Sequence, residues 1–196
     1  MQLRLRQLPN LISSVRILLV VPIAWELGHL HMMATLWLFA AAAVSDVVDG
    51  FLAKHFGWQT ELGGILDPVA DKLMLATTFV VLAYLELLPV WLTAVVIARD
   101  IIIVTGAVSY RVLLGPVAAR PSLVSKLNSL CQVLLILWVL GAREFSWSPL
   151  GVVVMGALVL VTTVVSGMDY VLVYGRRAAA EARARHHVAP RGSHPI

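Results

Sequence analysis

Four aspartates crowd the segment Ser45–Lys72 (SDVVDGFLAKHFGWQTELGGILDPVADK), in a chain with only eleven acidic residues. Asp46 and Asp49 are spaced i,i+3, and Asp67 and Asp71 i,i+4, so a helix through either pair presents both carboxylates on one face. Two such helices joined by a Lys54–Gly64 loop are neighbours, and all four carboxylates then converge. Like charges near a membrane boundary repel and are costly to desolvate. Lys54 and Lys72 are the local cations, which leaves the cluster anionic. Hard divalent cations with oxygen ligands complement it. Mg²⁺ or Mn²⁺ fits better than zinc, because no His or Cys stands at ligand spacing. Four carboxylates can hold two ions, and two ions can clamp the attacking and leaving oxygens of a phosphoryl transfer.

The small residues agree. Gly50 and Ala53 follow Asp49 on the same helix end, where a glycine costs about 1 kcal/mol of helix propensity. Close approach of a ligand to the backbone accounts for that cost. Gly63 and Gly64 allow a tight turn before Asp67, and Pro68 suits the first turn of a helix that Asp67 would cap. One Asp at a helix end is ordinarily a cap and one Gly ordinarily packing, but neither explains the whole set. The rival class is a cation transporter or proton pathway built on intramembrane acids. It does not explain the glycines, and it would favour carboxylates at mid-membrane.

These residues need helices to carry them, and the composition supplies helices of one kind. Of 196 residues, 60% are apolar and 13% charged, and the mean hydropathy is +0.88. Such values exclude a disordered chain, a basic nucleic-acid-binding protein and most soluble folds. They predict an all-α polytopic membrane protein of six transmembrane helices, roughly Leu11–Gly28, Met32–Val48, Leu73–Leu88, Val90–Leu114, Leu127–Leu140 and Leu150–Tyr174. A short N-terminal interfacial segment, MQLRLRQLPN, precedes them. The first span is not a cleavable signal peptide, because it carries Arg16 and Glu26 and no small-residue cleavage site follows. No internal repeat is visible.

Arg4, Arg6, Lys54, Arg111, Arg120, Lys126, Arg176, Arg177, Arg183, Arg185 and Arg191 fall on one side, with Arg16 and Lys72 in helix ends facing it. The opposite loops hold only Arg143, so the positive-inside rule places both termini in the cytoplasm. The formal net charge is +4, an excess suited to anionic headgroups. A membrane domain over residues 1–175 and a basic cytoplasmic tail over 176–196 follow. His186 and His187 lack flanking carboxylates for a metal. The single cysteine, Cys131, excludes an internal disulfide and packs in an apolar run. Trp91, Trp138 and Trp147 read as interface anchors, and His55 as a solvated loop residue.

The pattern D-x-x-D-G-x-x-A-R, eight residues, then G-x-x-x-D-x-x-x-D is the signature of the CDP-alcohol phosphotransferase family. This chain resembles it at Asp46, Asp49, Gly50, Ala53, Gly63, Asp67 and Asp71, with Lys54 in place of the signature arginine. The charge survives there and the bidentate fork is lost. The resemblance extends to the six-span architecture. It implies that a nucleotide-activated lipid, CDP-diacylglycerol, is attacked by an alcohol and that CMP leaves. It implies two divalent ions on Asp46, Asp49, Asp67 and Asp71, with Asp71 also the base for the acceptor hydroxyl. It places the cytidine nucleotide at Asp49, Gly50, Ala53, Lys54 and Gly63. It further implies a homodimer, in a bacterial inner membrane.

For the acceptor, the run Leu8–Pro22 is similar to the amino-terminal segment of phosphatidylglycerophosphate synthases and of CMP-forming cardiolipin synthases. Arg99-Asp100, Tyr110-Arg111 and Pro121–Asn128 look more like the cardiolipin synthases. Phosphatidylglycerol is therefore the expected acceptor, with glycerol 3-phosphate the alternative. Arg99, Arg111 and Lys126 are the acceptor-phosphate candidates. Arg99 and Asp100 interrupt the fourth span. Adjacent residues on a helix diverge, so a structural reading pairs Arg99 elsewhere, with Glu86 or another polar group. Asp169 is a further buried partner for one of these cations.

Overall fold

The computed structural model describes the backbone of residues 8–55, 63–114 and 123–188, and the side chains of residues 14–48, 69–106 and 123–172. Among the described residues there are six helices and no strand: α1 Leu8–Gly28, α2 Met32–His55, α3 Gly63–Tyr84, α4 Val90–Leu114, α5 Leu123–Phe145 and α6 Pro149–Val188. The all-α expectation holds. Among the described residues two stretches, Leu123–Phe145 and Pro149–Leu172, are long and apolar enough to cross a membrane, and Met32–Val48 is a shorter apolar one.

Three short connections lie between α1 and α2, α3 and α4, and α5 and α6. Each contains one non-glycine residue in the left-handed region: Leu30 (φ 62°), Glu86 (φ 58°) and Ser146 (φ 54°). At the first, the Leu30 N–H bonds the Leu27 carbonyl at 2.9 Å and the His31 N–H bonds the Glu26 carbonyl at 3.0 Å. At the second, Glu86 N–H reaches Ala83 at 3.1 Å and Leu87 N–H reaches Leu82 at 2.9 Å. The last carbonyls of α1 and α3 are thus satisfied while the chain reverses.

The helices bury one stripe each. Ile23 and Leu27 of α1, Phe39 and Ala42 of α2, Phe79 and Leu82 of α3, Leu92 and Val96 of α4, Leu135 and Ile136 of α5 and Val159 of α6 form the core. α1 packs on α3 and α2, α5 on α6 and α2, and α4 on α6. The outer surface is apolar too: Leu18, Trp25, Trp37, Val47 and Val153 are all exposed. The inside, by contrast, holds polar groups. Thr35 and Thr78 each return their hydroxyl to the carbonyl one turn back, at 3.0 and 2.8 Å. The Asn128 side-chain oxygen accepts from Thr162 at 2.9 Å and Thr163 at 2.8 Å, joining α5 to α6. An apolar outer surface, with the polar groups turned inward and hydrogen-bonded among an apolar core, suits a lipid solvent.

Several boundaries differ from expectation. α3 begins at Gly63, so Asp67 lies inside it and is not its cap. Pro68, so near the helix start, forfeits one bond, to the Gly64 carbonyl. α3 stops at Tyr84, short of Leu88. Pro89 disfavours a helical Leu88, and the left-handed Glu86 has already turned the chain. α2 runs on to His55, so Lys54 and His55 are helical rather than loop residues. α6 continues unbroken through Gly175. Of the expected interfacial segment MQLRLRQLPN, residues 1–7 lie outside the described ones and the last three residues open α1.

Of the three tryptophans, Trp91 and Trp147 are exposed, whereas Trp138 packs between α5 and α6 with its Nε1 buried. A side chain at Gly151 would collide with the Trp138 ring, so glycine there lets the two helices close over the indole. Trp138 and Trp147 stack edge-wise with centroids 5.2 Å apart. Trp138 is therefore half-buried, with its Nε1 turned inward by the close α5–α6 approach. Cys131 is a free thiol packed against the core, as expected.

Candidate functional site

The core stripes of three helices each continue into a charged residue. On α1 the series is Arg16, Ile23, Leu27; on α2 it is Thr35, Phe39, Ala42, Asp46; on α3 it is Asp71, Thr78, Leu82. All three follow the spacing of one helical face. Once the apolar part of each stripe packs, the charged ends are carried together. The Arg16 Nη1 donates to Asp46 Oδ1 at 2.6 Å and to Asp71 Oδ1 at 2.6 Å. Arg16 is 1% exposed, while Asp46 and Asp71 are 38% and 34% exposed. The cation is sealed inside the bundle and the two acids open outward.

Two of the four expected metal ligands therefore meet, from different helices. Asp49 and Asp67 lie on described helical backbone, but their side chains fall outside the described residues, as do Gly50, Ala53, Lys54 and Gly63. Among the described residues no group of three or more metal-ligating side chains gathers. Whether Asp46 and Asp71 fit a divalent ion can be judged from their oxygens. Both lie 2.6 Å from one nitrogen, so they are no more than twice that apart. Two oxygens bound to one Mg²⁺ at roughly 2.1 Å lie at most ~4.2 Å apart, inside that limit. The donors are hard, anionic oxygens and one positive charge faces two negative ones. The pair fits such an ion.

Arg16 was not among the cations expected at this site. In the sequence its charge bears on orientation and against a cleavable signal peptide. The available signal was its position: a single arginine on the core-facing stripe of an apolar helix must meet acids or face a polar cavity.

A second cluster lies beside the first. Lys72, next to Asp71, donates from Nζ to Asp100 Oδ1 at 2.7 Å. Arg99 Nη1 donates to the same oxygen at 2.7 Å. Arg99 Nη2 donates to the Ser125 hydroxyl at 2.8 Å and also to the Ser166 hydroxyl. So the acid that Arg99 meets is its own neighbour Asp100, not Glu86 or Asp169. The long side chain curls back along α4, overriding the divergence of adjacent positions. Glu86 is exposed at the other end of α4. Lys126 is exposed, one residue beyond Ser125, and the Arg111 side chain falls outside the described residues. Of the three acceptor-phosphate candidates, the described residues therefore include the side chains of Arg99 and Lys126.

A profile of the CDP-alcohol phosphatidyltransferase family matches residues 6–167. The chain is similar to a human protein named cardiolipin synthase (CMP-forming), with 30% identity over 87% of this chain and 62% of the relative. It is similar to a probable phosphatidylglycerophosphate synthase of Mycobacterium tuberculosis, with 34% identity over 86% of this chain and 81% of the relative. Over a shorter stretch, 49% of this chain and 52% of the relative, it is 44% identical to a Pseudomonas fluorescens CDP-diacylglycerol–glycerol-3-phosphate 3-phosphatidyltransferase. The chain spans about three-fifths of the human relative's length.

Proposed function

The chain belongs to the CDP-alcohol phosphatidyltransferase family, and from that premise we propose that it transfers a phosphatidyl group from CDP-diacylglycerol to phosphatidylglycerol, forming cardiolipin and releasing CMP. The observation that carries this reading is the convergence of Asp46 and Asp71, two signature positions on separate helices, at a single point. In the reaction the acceptor hydroxyl oxygen attacks the phosphorus that bears diacylglycerol. The bond from that phosphorus to the CMP oxygen breaks, and CMP leaves with the electron pair. Asp71 takes the hydroxyl proton, a role worth about 10²–10⁴-fold. Asp46, Asp49, Asp67 and Asp71 would hold two divalent ions, Mg²⁺ or Mn²⁺. When bound, these neutralise the diphosphate and favour departure of CMP. Asp49, Gly50, Ala53, Lys54 and Gly63 receive the nucleotide. Arg16 holds the two described acids at a common point from inside the bundle.

The same reading takes the six helices as six membrane spans, with residues 1–175 as the membrane domain and 176–196 as a basic tail. Both termini face the cytoplasm of a bacterial inner membrane, and the chain pairs as a homodimer. The exposed apolar residues on α1, α2 and α6 support burial in lipid. The glycines that accompany the acids, Gly50, Gly63 and Gly64, disfavour the cation-transporter alternative, which gives them no role.

Glycerol 3-phosphate is the second acceptor reading, favoured by the similarity to the Mycobacterium tuberculosis and Pseudomonas fluorescens proteins. The test supplies radiolabelled CDP-diacylglycerol and Mg²⁺ or Mn²⁺ with each acceptor alone, and resolves the products by thin-layer chromatography. Cardiolipin from added phosphatidylglycerol is the expected result. Phosphatidylglycerophosphate without cardiolipin transfers the assignment to glycerol 3-phosphate, and no metal-dependent CMP release from CDP-diacylglycerol with any acceptor rejects the transferase.

A further inference from the structure

The Arg99 guanidinium is 5% exposed and every part of its fork is engaged or enclosed. Nη1 is held by Asp100 on α4, Nη2 by Ser125 on α5 and Ser166 on α6, and Nε is buried as well. Through the Asp100 carboxylate the same knot reaches Lys72 on α3. Four helices thus meet at one arginine–aspartate pair. Serine side chains are short, so each bond fixes the distance from its helix backbone to α4 closely. Two residues flanking the knot bear on the proposed reaction, Asp71 as its base and Lys126 as an expected acceptor-phosphate cation. Lys72 follows Asp71, and Ser125 precedes Lys126, the exposed cation at the start of α5.

We infer that Arg99 is a positioning residue for the acceptor rather than a ligand of its phosphate. By drawing Ser125 and Ser166 onto α4, it sets the first turn of α5, and Lys126 with it, at a fixed distance from Asp71. The inference rests on the phosphatidyl-transfer reading for its consequence in catalysis. The clasp itself stands on geometry alone. In-line attack requires the acceptor oxygen, the phosphorus and the base in register, and a displacement of about 1 Å costs on the order of 100-fold. A guanidinium suits the task because its two Nη groups diverge, one toward a carboxylate and one toward two hydroxyls. An ammonium at the same place cannot span both.

The test uses the full chain in detergent and two variants, the double substitution Ser125→Ala/Ser166→Ala and the single substitution Arg99→Lys. The double variant keeps the Arg99 charge and removes only what it grips. KM is measured for CDP-diacylglycerol and for each acceptor separately. In parallel, spin labels on Leu73 and Leu127, both exposed, report the distance between the middle of α3 and the start of α5 in a Cys131→Ser background. The double variant should raise acceptor KM about tenfold, leave the CDP-diacylglycerol KM within about twofold, and broaden the label distance. Arg99→Lys should do the same. Loss of acceptor binding in Arg99→Lys alone, with the double variant normal, would make Arg99 the phosphate ligand and overturn the inference. So would equal rises in both KM values, or a label distance unchanged in the double variant. Should the parent chain release no CMP, the transferase reading fails, while the distance measurement still decides the clasp.

Discussion

At the scale of single residues, a carboxylate pair and one arginine make the strongest claim. Asp71→Asn removes a ligand charge and the proposed base together, and metal-dependent CMP release should fall about 100-fold or more. Asp46→Asn should fall comparably through loss of metal. Lys54→Arg should retain activity in the same assay, since the family signature carries arginine there. Arg16→Gln leaves Asp46 and Asp71 facing each other without their shared donor. Thermal unfolding in metal-free detergent should show a loss of roughly 2 kcal/mol. Added Mg²⁺ or Mn²⁺ should raise the midpoint of this variant more than that of the parent, by preferential binding to the folded state. An equal metal-induced rise in both would break the link between Arg16 and the ion site. The acids were legible in the sequence because their spacing is short and local. Arg16 was not, because its distance from Asp46 and Asp71 in the chain is closed only by helix packing.

At the scale of elements, six apolar stretches foretold six helices, and Val90–Leu114 was located to the residue. The ends were less legible where a left-handed turn intervened, as at Glu86, or where a helix tolerated an early proline, as at Pro68. Nor could sequence spacing show that Arg99 folds back onto Asp100, since the partners that hold it there, Ser125 and Ser166, come from other helices. One close approach can be tested directly. Gly151→Ala puts a methyl group into the Trp138 ring, and should lower stability by about 1–3 kcal/mol, measured by thermal unfolding. A neutral result would show that the indole can move aside.

At the scale of the whole molecule, the proposed orientation predicts opposite faces for the α5–α6 turn and the C-terminus. Cysteines introduced at Ser148 and Ser193, in a Cys131→Ser background, should label from opposite sides of sealed membranes. Labelling of both from one side overturns the six-span arrangement. The tight reversals at Leu30, Glu86 and Ser146 carry a consequence for biosynthesis. They divide the chain into three helical hairpins, α1–α2, α3–α4 and α5–α6, that emerge from the ribosome in turn. Among the residues of the two clusters, the first hairpin brings Arg16 with Asp46 and the second brings Asp71, Lys72, Arg99 and Asp100. The third contributes only the hydroxyls of Ser125 and Ser166. Each set is electrically neutral by itself, so no hairpin must wait for the next to cancel these charges. Docking then redistributes partners that already exist, giving Arg16 its second acid and Arg99 its serines, and the reactive end of the protein is finished only when the last hairpin arrives.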